Sequence, residues 1–151
     1  MRKFFLIFIL LICSCTSSYK KIKVGSKNPN IIIIYMDDLG YGDVSSYGKG
    51  ILKTPNIDKL ANGGLKFLNG YSSSATCTPS RYAMLTGKYP WRNPRAKIIT
   101  GGSLIIDTTE ITLPKMLKTN GYKTGIVGKW HLGLGEDKIN YNTIISPGPN
   151  E

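Results

Sequence analysis

One run of residues constrains this chain more than any other: Asn30-Ile31-Ile32-Ile33-Ile34-Tyr35-Met36. β-Branched side chains are stiff at χ1 and fit a pleated, covered surface. The run is continuously apolar rather than alternating. That predicts a strand buried on both faces, as in the middle of a parallel sheet. It stops at Asp37-Asp38, followed by the glycine-rich turn Leu39-Gly40-Tyr41-Gly42-Asp43. In open α/β sheets ligands bind beyond the carboxyl ends of the strands. Two carboxylates therefore stand where a site is expected.

The rest of the pattern fits that sheet. Thr54-Pro55 starts a helix, with Thr54 as cap and Ile57, Leu60 and Ala61 as its apolar face. Gly63-Gly64 stops it, and residues 65–71 read as a short strand. Pro79 begins a second helix through Tyr82, Ala83, Met84 and Leu85, closed by Gly87. Residues 88–106, rich in Pro, Gly and Arg, read as a long loop. Thr112-Leu113-Pro114 opens a third helix, which Gly121 ends. Residues 122–127 are the next strand, and Gly128-Lys129-Trp130-His131-Leu132-Gly133 is the turn after it. The alternation of strands and helices predicts an α/β fold with a mostly parallel sheet. Residues 135–151 lack apolar periodicity, and few strands precede them, so the pattern reads as interrupted.

The first residues carry a different signal. Arg2-Lys3 precedes a nine-residue apolar run, Phe4 to Ile12, too short to span a bilayer and suited to a signal peptide. Ile12-Cys13-Ser14-Cys15 then resembles a bacterial lipoprotein signal, with the small Ser14 before a lipidated Cys15. A plain secretory leader and a buried first strand are the alternatives. The expected organisation is a signal peptide at 1–14, a polar lysine-rich linker at 15–28 and a catalytic domain from 29 to 151. The protein is then exported and membrane-anchored through Cys15, in the periplasm or at the cell surface.

The formal charge is +11, from 20 Lys and Arg against 9 Asp and Glu. No basic run interleaved with aromatics accompanies it, which argues against nucleic acid as a partner. A solvated lysine-rich surface accounts for the charge; attraction of an anionic substrate or a membrane is the alternative.

Three clusters carry chemistry. The adjacent Asp37 and Asp38 repel each other unless a cation neutralises them, which suits a hard divalent metal; a polar turn is the other reading. Cys77-Thr78-Pro79-Ser80-Arg81 places a thiol at the positive end of a helix, with Arg81 one turn inside. Of the three cysteines two lie in the leader, so Cys77 has no disulfide framework and is either buried and inert, reactive or chemically converted. Lys129 and His131 share a face of an extended segment, where one could bind an anion and the other move a proton. His131 is the single histidine, and a structural role is its ordinary one.

Together and in this order the clusters resemble a family. Cys77-Thr78-Pro79-Ser80-Arg81, continued by Leu85-Thr86-Gly87, is similar to the signature of formylglycine-dependent type I sulfatases, whose core is C-x-P-S-R. GKWHLG at 128–133 resembles their second signature. Asn30 to Gly42 resembles their first metal-binding strand, and Thr54 to Ala61 the helix after it. The resemblance covers about residues 29 to 134. It implies an alkaline phosphatase-like α/β fold and hydrolysis of sulfate esters. Cys77 would be converted by a formylglycine-generating maturation enzyme to an aldehyde whose hydrate is the nucleophile. One hydroxyl would attack sulfur as the substrate alcohol leaves; the second would lose its proton and expel sulfate. Asp37, Asp38 and converted Cys77 would face a calcium ion. Arg81 would hold the hydrate, Lys129 the sulfate group, and His131 would take the proton.

The chain also departs from the family. A further Asp-Asn calcium pair, a second histidine and a second lysine are expected well after GKWHLG and are not among these 151 residues. The resemblance thus implies an N-terminal, truncated portion of a sulfatase domain, inactive alone. The competing expectations are a phosphonate or phosphodiester hydrolase of the same superfamily and a non-catalytic anchored remnant. A sulfated small molecule or polysaccharide is the implied substrate.

Overall fold

The computed structural model describes residues 28–48, 51–97 and 102–135. The expected signal peptide, the lipidation site at Cys15 and the linker up to residue 27 lie outside them, as does the tail from residue 136. The chain divides into two compact units, Met1–Tyr35 and Met36–Glu151.

In the first unit, residues 28–35 have no regular secondary structure. The isoleucines of the apolar run are exposed, Ile32 to 84%. In the second unit the expected strands at 65–71 and 122–127 are likewise irregular, and Val127 is fully exposed. No β-strand forms among the described residues. A strand exists only through ladder bonds to a neighbour.

The helices form where the sequence places them. Helix α1 spans Pro55–Gly63, with proline in its first turn, where a backbone N–H would have no helical partner. Thr54 stands at its N-cap, yet its hydroxyl does not cap the helix. It is drawn instead into a clasp with Ser45 and Asp58: Ser45 Oγ lies 2.8 Å from Thr54 Oγ1 and donates to Asp58 Oδ2 at 2.6 Å. The apolar face expected on α1 is only partly covered: Ile57 and Ala61 are half-buried, and Leu60 is exposed.

Helix α2 spans Cys77–Thr86 and begins two residues before the expected Pro79. Its last turn closes on Gly87, in the left-handed conformation (φ 67°), whose N–H donates to Ala83 O at 2.8 Å. Helix α3 spans Leu113–Thr119; the hydroxyl of its N-cap, Thr112, accepts from Lys115 N. Helix α2 packs against α3 and against the short 3-10 turn Pro90–Arg92.

The core of this unit gathers around α2. Tyr82 and Leu85 project from one face of the helix onto Ala96, Ile105, Ile106 and Leu132, with Met84 and Trp130 partly buried beside them. Leu132 is 1% exposed. The loop expected over 88–106 thus supplies half of the core, which its Pro, Gly and Arg content concealed. It runs alongside the segment around Leu132: Ile105 N donates to Leu132 O at 3.0 Å, Leu104 N to Gly135 O at 2.8 Å, and Leu134 N to Gly102 O at 3.1 Å.

Candidate active site

The site is assembled on the first two turns of α2 and on the turn containing Lys129. Cys77 is the first helical residue and is partly buried. Ser80 Oγ donates to Cys77 O at 3.0 Å, tightening that turn. One turn on, Arg81 reaches back with a side chain only 11% exposed. Its Nη1 donates to the backbone oxygen of Lys129, and its Nη2 lies 3.2 Å from Asp37 Oδ1.

Lys129 completes the cluster. Its Nζ donates to Asp37 Oδ2 at 2.7 Å and to Cys77 Sγ at 3.3 Å. Each oxygen of Asp37 therefore faces one cation. These two partners, Lys129 foremost and then Arg81, hold the Asp37 carboxyl down to about 2. The same bonds, to Asp37 first and to Cys77 second, raise the Lys129 ammonium above its ordinary value. Residues 37, 77, 81 and 129, far apart in sequence, meet in one contact network with a thiol at its edge.

Two of the expected residues join less directly. Asp38 adopts a left-handed backbone (φ 55°), and no side-chain hydrogen bond or ion pair links it to Asp37's partners among the described residues. A tight turn follows it, in which Gly40 N donates to Asp43 Oδ2 at 2.7 Å. His131 is also left-handed (φ 54°). Its ring is not bonded to Asp37, Cys77, Arg81 or Lys129, and its Nδ1 is buried without a partner among the described residues. His131 is tied to the site through its main chain, since Thr78 Oγ1 donates to His131 O at 2.9 Å. Sequence reasoning missed Thr78, because a bond to a backbone carbonyl leaves no mark on the partner's identity.

Asp37, Asp38 and Cys77 do not close a metal cage by themselves. Among the described residues no group of three or more His, Cys, Asp or Glu is placed to hold an ion. Two neighbouring carboxylates are the right kind of donor for calcium, which takes about six to eight oxygens. They fit part of such a shell.

The family model described as Sulfatase matches residues 29–147. The chain belongs to the sulfatase family. It is 50% identical over 142 residues to an N-acetylgalactosamine-6-O-sulfatase of Bacteroides thetaiotaomicron, across 92% of this chain and 28% of that protein. To arylsulfatase A of Bos taurus it is 48% identical over 117 residues, across 72% of this chain and 22% of the relative. A solved structure from Bacteroides thetaiotaomicron, described under the metabolism of multiple glycosaminoglycans, matches with a TM-score of 0.79 and 53% identity. That match covers 83% of this chain and 26% of the other. The fold class is therefore the α/β, alkaline phosphatase-like one of sulfatases, of which this chain carries a sulfatase-like N-terminal portion. It spans at most 28% of the length of these relatives.

Proposed function

We propose that this chain contributes the nucleophile half of a sulfuric ester hydrolase. The observation that carries the reading is the junction of Lys129, Asp37 and Arg81 at the thiol that opens α2. Two cations at the start of a helix favour a tetrahedral anionic group such as a sulfate ester. A carboxylate held ionised between them keeps the cluster from being purely cationic.

Cys77 is, in this reading, a precursor that a maturation enzyme converts to formylglycine. The modified residue supplies a hydrated aldehyde, one of whose hydroxyls can attack sulfur. Arg81, anchored to Asp37 and to the Lys129 backbone, orients residue 77. The Lys129 ammonium, within 3.3 Å of Sγ, binds the sulfate oxygens that gain charge during transfer. His131 takes the proton when sulfate is expelled. Asp37 and Asp38 would hold part of a calcium shell, whose ion supplies polarisation of the sulfate oxygens. His131 is the single histidine, and protonation of the leaving alcohol calls for an acid besides it. In this reading the 151 residues alone should show no turnover.

The relatives support a sulfated substrate. Similarity to an N-acetylgalactosamine-6-O-sulfatase supports a sulfated amino sugar of a polysaccharide. Export and anchoring through a lipidated Cys15 would place the enzyme where such polymers are met. Fatty-acid labelling of wild type, lost in Cys15→Ala, is the expected result; equal labelling in both excludes that anchor.

The function is tested on a full-length protein that carries this sequence. It should release sulfate from an aryl sulfate and from 6-sulfated N-acetylgalactosamine, and Cys77→Ala should abolish both. Hydrolysis of phosphonate or phosphodiester substrates in preference to sulfates would assign it instead to that branch of the superfamily.

A further inference from the structure

We propose that Thr78 is a positioning residue for His131. The two residues are 53 apart in sequence, and one bond joins them: Thr78 Oγ1 donates to His131 O at 2.9 Å. Thr78 is 1% exposed, so no water competes for that hydroxyl. The bond is part-buried, and a partly buried carbonyl that loses its donor is disfavoured.

The carbonyl it holds belongs to a strained residue. His131 has φ 54°, a region that side chains with a Cβ seldom occupy without outside support. Support comes from both sides. On the far side Leu132 is locked in the core, its carbonyl accepts from Ile105 N, and Gly133 passes against the backbone of Ser103. A Cβ on Gly133 would stand 2.0 Å from Ser103 O, so the segment cannot relax in that direction. On the near side Arg81 Nη1 donates to Lys129 O, and the Thr78 hydroxyl ties the His131 carbonyl itself. Held on both sides, the residue keeps the backbone angle that sets where its ring leaves the loop, and the Thr78 bond is one of those ties. Thr78 follows Cys77 directly in α2. The placement of the histidine is therefore referenced to the same helical turn that carries the nucleophile position. The consequence for turnover rests on the sulfatase reading above; the geometric claim does not.

The single histidine makes the test direct, because its ring correlations in a carbon–proton NMR spectrum have no overlap with another histidine. Spectra of the 151-residue chain are compared for wild type, Thr78→Ser, Thr78→Val and Thr78→Ala at one pH. The hydroxyl-bearing Ser variant should overlay the wild type, while Val and Ala shift both ring correlations. Val and Ala spectra that overlay the wild type overturn the proposal, as does a Ser variant shifted as far as Val. Failure of both Val and Ala to fold, with Ser folded, also overturns it, since the hydroxyl would then support the fold and not the ring. In a full-length sulfatase with equal conversion of residue 77, Thr78→Val should lower kcat by up to about a hundredfold with KM unchanged, and Ser should restore it. The predicted NMR shifts in a wild type without sulfatase activity would sink the function and leave the positioning role standing.

Discussion

At the scale of single residues, the informative fact is how a carboxylate, a guanidinium, an ammonium and a thiol share one point. Asp37 accepts from Arg81 on one oxygen and Lys129 on the other. Its carboxyl is depressed to about 2 because both neighbours favour the charged form. Lys129→Met removes the larger cause, so in chelator-treated protein the Asp37 titration should move upward toward the ordinary carboxylate range. Following its side-chain carbon by NMR checks this; an unmoved midpoint contradicts the geometry. The sign for stability follows from the same shift. A depressed acid contributes fully above its unfolded value, and the contribution fades as pH falls through about 2. Asp37, Cys77, Arg81 and Lys129 each have an ordinary reading alone and were legible as one cluster through the resemblance of their motifs to the sulfatase signatures; the structure joins them in one contact network. Asp38 and His131 were legible as candidates, but their left-handed backbones were not, since nothing in an Asp or a His announces φ near 55°. Thr78 was illegible for the opposite reason: its partner is a main-chain oxygen that every residue owns.

Among elements, the helices followed the sequence and the sheet did not form among the described residues. Proline at the first turn and glycine after the last are local signals, and α1, α2 and α3 begin and end near them. Helix α2 starts at Cys77 because a proline fits anywhere in a first turn, so Pro79 marked the turn rather than its first residue. The glycines separate two mechanisms. Gly87→Ala meets only left-handed strain, with open space around the new Cβ, and should cost about 1 kcal/mol. Gly133→Ala meets the same strain plus a collision with Ser103 O and should cost well over that, on the order of 3 kcal/mol or more. Urea unfolding of the two variants checks the order; equal costs would mean that the segment around residue 133 yields. Leu132→Ala should be comparably harmful, at about 2–5 kcal/mol, because it empties the centre of the core. The contribution of 88–106 to that core could not be foreseen, as Ala96, Ile105 and Ile106 are too sparse to form a period.

For the molecule as a whole, the apolar segments that would build a sheet stand exposed, from Ile31 to Met36 and at Ile126 and Val127. Among the described residues no group of three or more His, Cys, Asp or Glu is placed to hold an ion. With residue 77 converted and calcium added, the isolated chain should show no turnover of an aryl sulfate, since losing even one preorganised group costs roughly a hundred- to a thousandfold. Sustained turnover abolished by Cys77→Ala would show that this half of the site suffices. The central claim, however, is that Cys77 is the precursor of a sulfatase nucleophile, and it can be read without any turnover. The chain is co-expressed with a formylglycine-generating enzyme, and the proteolytic peptide containing residue 77 is examined by mass spectrometry. The account predicts loss of the thiol and an aldehyde that reacts with a hydrazine probe. An intact thiol at Cys77, while a control sulfatase in the same cells is converted, would contradict it.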